Sequence, residues 1–244
     1  MKVARAYFGS VRVLFLKYNF QMGKVCIFID SGNFYHLVLK RIGVHELEFN
    51  FEEFVKFLAD GREIAKEGKR FYVGTVRETK DGHESKSAMA NQTKLFSELM
   101  KSGNWAIKTS KLRTRTEKLK IDDRVTNYKE IIGKGITEIE HKRSREKGID
   151  VKLAVDLMAG SIDGKYDTAI VVSSDTDLVP AIDWVRKRQK KRVEYIGFSV
   201  PRINPVTGDD EGTRPTKTMI YNSDVQRVLV ESDVRRFILK GSSS

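Results

Sequence analysis

Short apolar runs alternate with amphipathic stretches between residues 24 and 198, and that alternation leaves the chain few folds to choose from. Residues 24–30 (KVCIFID) read as a buried strand ending in an acid. Residues 33–42 read as a helix stopped by Gly43, and Asn50 with Glu53 as a capping box opening a second helix that reaches about Ala65. A strand is expected at 71–76. A helix follows at 85–100, with Met89, Leu95, Phe96 and Leu99 on its inner face, and then a strand at 105–109. Further on, 150–158 reads as a helix capped by Asp150, 168–172 as a strand, 178–189 as a helix and 193–198 as the last clear strand. A short helix is expected at 223–229. Strands and helices in this order predict a three-layer α/β fold around a mostly parallel, doubly wound sheet. Sites in such sheets form beyond the C-terminal strand ends, where the strand order reverses.

The interval 108–147 breaks the pattern. It carries 13 Lys and Arg against 7 Asp and Glu, half of the chain's net charge of +12, and is read as a strand extension followed by a long, partly mobile polar insert. Phosphate backbones are the commonest partner for such a bias, so nucleic acid is the expected ligand. Arg113, Arg115, Lys142, Arg143 and Arg145 are the candidates to hold it, because both ends of the insert lie at the expected site edge. The single cysteine, Cys26, excludes an internal disulfide framework and a Cys-rich zinc site and makes a cytoplasmic location the expectation. No apolar run is long enough for a membrane helix. Residues 1–29 lack Asp and Glu; residues 1–21 are expected to be a basic extension ahead of a start at Met22, with one domain over 22–240 and a disordered tail at 241–244.

Acids gather where the fold predicts a site. Asp30 ends the first strand, and Asp175 and Asp177 follow the strand at 168–172, two apart and so on one side of an extended chain. Asp150 would stand at the mouth of the site as a helix cap; Asp156, six residues on, lies about 240° around that helix and ranks behind it. Crowded carboxylates raise one another's pKa unless a cation joins them, and Mg²⁺ or Mn²⁺ is the hard ion that suits an all-oxygen set. Singly, each acid reads as a turn former or cap; their coincidence at one sheet edge favours the site.

Three motifs in order, Asp30-Ser31-Gly32-Asn33, Lys147-Gly148-Ile149-Asp150 with Leu153 and Asp156, and Ser174-Asp175-Thr176-Asp177-Leu178-Val179-Pro180, resemble the signatures of NYN-domain proteins, and more narrowly of the LabA-like branch. The resemblance implies a PIN-like fold and a metal-dependent nuclease acting on RNA. Asp30, Asp150, Asp175 and Asp177 would be its metal-binding, catalytic acids. Asn33 would orient Asp30 or contact phosphate, and Lys147 would neutralise phosphate charge. Ser174 stands where the family commonly has glycine. A module that binds nucleic acid without cutting it is the alternative. Asp175-Thr-Asp-Leu-Val also fits the nucleophile motif of haloacid-dehalogenase phosphatases, but that reading leaves Asp30 unexplained and finds one clear strand after Asp177. The basic run 186–192 ends a helix and is expected at the far edge of the sheet, and the four histidines show no ligand spacing.

Overall fold

In the computed structural model, residues 23–75, 83–146, 148–204 and 206–239 are described, with the backbone alone at 83–85, 111–115 and 142–146. The expected leader at 1–21, Lys147 and the expected tail at 241–244 lie outside the described residues.

The sheet has seven strands in the order β4-β3-β2-β1-β5-β6-β7. These are β1 (Val25–Asp30), β2 (Ile64–Thr75), β3 (Trp105–Lys120), β4 (Glu138–Glu146), β5 (Thr168–Val172), β6 (Arg192–Ser199) and β7 (Val225–Val230). Every neighbouring pair is parallel except β3 with β4. The chain winds outward from β1 through β2 to β3, then returns to β5 on β1's other side, so the strand order reverses between β1 and β5. This is the doubly wound α/β architecture.

Helices cover both faces. On one lie α1 (Ser31–Phe34), its π-helical continuation Tyr35–Leu39, α2 (Phe51–Ala59) and α3 (His83–Ser102). A small helix, α4 (Tyr128–Gly133), precedes β4. The other face carries α5 (Ile149–Ile162), α6 (Val179–Arg188) and α7 (Lys217–Tyr221), and α8 (Glu231–Arg235) closes the first face through Val234. β1 is buried throughout because it serves both layers. Val25, Ile27 and Ile29 join the α2 side, while Cys26 and Phe28 join the α5 side. By the same period of two, Asp30 belongs to the α5 side. Phe34 stacks on Phe54 at 5.4 Å and meets Phe49 and Phe198 edge-on or tilted at 5.3 Å each, which clamps α1 directly after Asp30.

Several expectations are corrected. The second helix stops at Ala59, not near Ala65, because Asp60 takes a left-handed conformation at its C-cap (φ 52°), and β2 starts at Ile64 instead of 71. Leu95 and Leu99 are buried on α3, but Met89 is exposed. The interval read as a mobile polar insert is a β-ribbon. β3 runs on to Lys120, well past 109, and β4 returns antiparallel to it. The segment expected as a helix at 223–229 is β7, paired in parallel with β6, so two strands follow Asp177. Asp150 does not cap α5. Gly148, with φ +78°, holds the cap position and Asp150 lies in the first turn. The basic end of α6 is structural at Arg186, whose guanidinium binds Asp224 and the carbonyl of Asn222 at 2.8 Å each.

Candidate active site

Asp30 sits at the C-terminal end of β1, beside the reversal of strand order, and is almost fully buried. Both of its oxygens are fixed. Oδ1 accepts the backbone N–H of Asn33 at 3.0 Å, so Asp30 itself caps α1, which therefore starts two residues earlier than the sequence pattern suggests. Oδ2 accepts the hydroxyl of Ser173 at 3.1 Å, the residue that follows β5. Burial pushes the Asp30 carboxyl above the usual aspartate range; the bonds from Asn33 and Ser173 offset part of this, and the charges of Asp175 and Asp150 push it further.

Ser173 links the two strand ends. Its hydroxyl donates to Asp30 and accepts the backbone N–H of Asp175 at 3.2 Å. Sequence reasoning singled out Ser174 and passed over this neighbour, although a serine buried directly after a strand and two residues before an acid was a usable signal. Ser174 instead holds the loop. Its N–H donates to Asn33 Oδ1 at 2.9 Å, its hydroxyl lies 3.0 Å from that of Tyr195, and Thr216 Oγ1 donates to its carbonyl at 3.3 Å. Asn33 thus supplies its N–H to Asp30 and its side-chain carbonyl to Ser174, so that oxygen is occupied within the protein.

The two acids of the second motif differ in placement. Asp175 is partly buried and its Oδ1 accepts the N–H of Asp177 at 3.0 Å, capping a single 3₁₀ turn, Thr176–Leu178. Asp177 lies on that turn, exposed. The premise of an extended chain with both carboxylates on one side therefore fails. On α5, Asp150 is partly buried and near enough to Asp30 to affect its ionisation. Asp156 faces a different neighbourhood: its Oδ2 accepts the Tyr72 hydroxyl at 3.0 Å and lies 3.7 Å from Arg70 Nη1 and 3.9 Å from Lys108 Nζ.

The structure thus places Asp150 and Asp175 near enough to Asp30 to act on its charge, leaves Asp177 exposed on the turn beside Asp175, and ties Asp156 to Tyr72 and Arg70. Among the described residues, no three His, Cys, Asp or Glu side chains converge closely enough to enclose an ion. The donor chemistry nevertheless fits a hard divalent cation. It is all oxygen, and its innermost carboxylate is raised by burial and two like charges, a cost that bound positive charge would relieve.

Comparison with known proteins gives three findings. The family model described as "NYN domain" matches residues 24–208. A 6-hydroxy-3-succinoylpyridine 3-monooxygenase from Pseudomonas putida is 39% identical over 64 residues, 26% of this chain; the match spans 20% of that protein's length. A solved structure of a protein of unknown function from Vibrio parahaemolyticus aligns over 85% of this chain and 93% of its own, with 14% identity and a TM-score of 0.45.

Proposed function

The chain belongs to the NYN domain family, and from that premise we propose that it is a metal-dependent nuclease that hydrolyses phosphodiester bonds, with RNA as substrate. The observation that carries the reading is the Ser173 bridge. It ties the acid at the end of β1 to the acid loop after β5, at the reversal of strand order, with Asp150 alongside.

Asp30, Asp150 and Asp175 would hold Mg²⁺ or Mn²⁺, with Asp177 at the rim of the set. When bound, such an ion supplies an activated water and a counter-charge for the leaving oxygen. The chain's own residues do the positioning. Asn33 and Ser173 fix both oxygens of Asp30, and Ser174, Tyr195 and Thr216 hold the loop that presents Asp175. Lys108, partly exposed beside Asp156, is suited to hold substrate phosphate, and Lys147 would do so on the strength of its motif alone. Within the family we place the chain with the LabA-like branch, on the three ordered motifs, and we infer a cytoplasmic location from its single, buried cysteine. No helix among the described residues is long and apolar enough to cross a membrane.

The test is incubation of labelled RNA and DNA of matched sequence with the purified protein in Mn²⁺, Mg²⁺ or EDTA, beside Asp30→Asn. RNA cut only with metal, and only by the wild type, is the expected result. RNA that is bound but stays intact under every condition would establish the non-cleaving module instead.

A further inference from the structure

Beyond Lys111, the partner of Thr75, the strand that β3 pairs with among the described residues is β4, from Leu112↔Glu146 to Lys120↔Glu138. That two-stranded ribbon is roughly 27 Å long at about 3.4 Å per residue. Because β3 is parallel to β2, and β2 to β1, the ribbon leaves from the sheet edge that carries Asp30, and β4 brings the chain back to that edge just ahead of Asp150.

The register sorts the ribbon's charges by face. Residues opposite one another in an antiparallel pair share a face, as do residues two apart. Arg113 is opposite Arg145 and Arg115 is opposite Arg143, so one face carries four arginine positions in two adjacent cross-strand pairs at the root of the ribbon, followed outward by Glu117 opposite His141 and Leu119 opposite Ile139. The other face alternates differently. Thr114 meets Ser144, Thr116 meets Lys142, and Lys118 meets Glu140, with Lys118 Nζ 3.0 Å from Glu138 and 3.3 Å from Glu140. Four arginine positions adjacent on one face of a ribbon suit a polyanion, whose phosphates recur along one line.

We propose that this arginine face, at the root of the ribbon, is a docking surface for the phosphate backbone of the substrate strand, which it leads to the acids. The inference rests on the nuclease reading for its substrate, not for its geometry. It also divides the basic residues of the interval: Arg113, Arg115, Arg143 and Arg145 act together, and Lys142, on the opposite face, does not.

Two double variants of the full chain, each removing two positive charges, test it. Arg115→Ala with Arg143→Ala empties half of the arginine face; Lys118→Ala with Lys142→Ala alters the other. Binding of a short single-stranded RNA is read in EDTA, where no metal-dependent cleavage intrudes. The arginine variant should bind about tenfold more weakly near physiological salt, with a log K–log salt slope shallower by about 1.4, about 0.7 per lost contact. The lysine variant should change less than about twofold, and Arg115→Lys with Arg143→Lys should retain most of the binding. Equal losses in both alanine variants would reduce the effect to general charge and overturn the proposal, as would unaltered binding in the arginine variant. Binding that depends on the arginine face without cleavage in metal would refute the nuclease reading alone; cleavage with binding independent of that face would refute only this inference.

Discussion

The N–H of Ser174 donates to Asn33 Oδ1 at 2.9 Å across 141 residues of chain, joining the loop after β5 to the helix after β1. Asn33 also donates its own N–H to Asp30, so one residue bonds both acid-bearing segments, beside the Ser173 bridge. Hydrogen bonds within a single segment could not do this; only the reversal of strand order brings 33 and 174 together.

Asn33→Ala removes the inter-strand bond and leaves the backbone cap on Asp30 in place. A stability loss of about 1 kcal/mol is expected, the usual net value of one hydrogen bond. Cleavage should fall by about tenfold through the loosened loop, while RNA affinity in EDTA stays level. A wild-type turnover rate in this variant would show that the latch does not position Asp175.

Asp175→Asn should abolish metal-dependent cleavage and keep the fold. The side chain caps the 3₁₀ turn by accepting the N–H of Asp177, and asparagine caps as well as aspartate. Melting in EDTA should therefore shift little, or rise as repulsion with Asp30 is lost. Asp177→Asn, on the exposed side of the same turn, should leave substantially more activity. If the two variants lose activity equally, both acids belong to the inner set.

The alternation of elements was legible along most of the chain, because β1, β5 and β6 are buried on both faces and read as unbroken apolar runs. The ribbon and β7 were not. The ribbon leaves the core and β7 lies at the sheet's edge with Leu229 as its buried residue, so no continuous apolar run marks either. β7 is an edge strand with a half-exposed pattern, and β4 is almost wholly polar. A period of two was nonetheless present in Arg113-Thr114-Arg115 and Arg143-Ser144-Arg145. At the site, Asp30 and Asp175 could be placed from strand ends alone. Ser173 and the Asn33 latch depend on contacts between distant segments, and the conformation of Gly148, which moved Asp150 off the cap, is a backbone property that composition does not announce.

Asp150 and Asp156 lie on the same helix and should separate by phenotype. Asp156 receives the Tyr72 hydroxyl and sits beside the buried guanidinium of Arg70. Asp156→Ala leaves both groups short of a partner, at a cost of about 1–3 kcal/mol once its partial exposure is allowed for. Asp150→Ala, which has no capping bond to lose, should unfold like wild type and fail in cleavage. Denaturant titration of both variants beside a cleavage assay checks this. A destabilised Asp150→Ala protein with normal specific activity would reverse the assignment.

The raised carboxyl of Asp30 makes a prediction about pH, and the sign follows from proton counting. Its folded-state pKa lies above its unfolded value, mainly through burial, so between the two the folded protein binds the extra proton. Stability from this group is fully present below the ordinary aspartate range of about 4 and is lost as pH rises through the raised value. Metal-free protein should therefore be less stable at pH 7.5 than near pH 4, the ordinary aspartate value, by an amount that Asp30→Asn removes. The asparagine carbonyl can still accept from Asn33, and its amide can donate to the Ser173 hydroxyl, so the variant keeps both contacts in altered form. Asp175→Asn removes one of the like charges that raise Asp30 and should narrow the pH window. Denaturant unfolding in EDTA at both pH values, for wild type and both variants, gives the comparison. Added Mn²⁺ should restore wild-type stability at pH 7.5 and leave Asp30→Asn little changed. Parallel pH dependences in wild type and Asp30→Asn would mean that Asp30 carries no ionisation strain, and the case for a cation beside it would fall with that result.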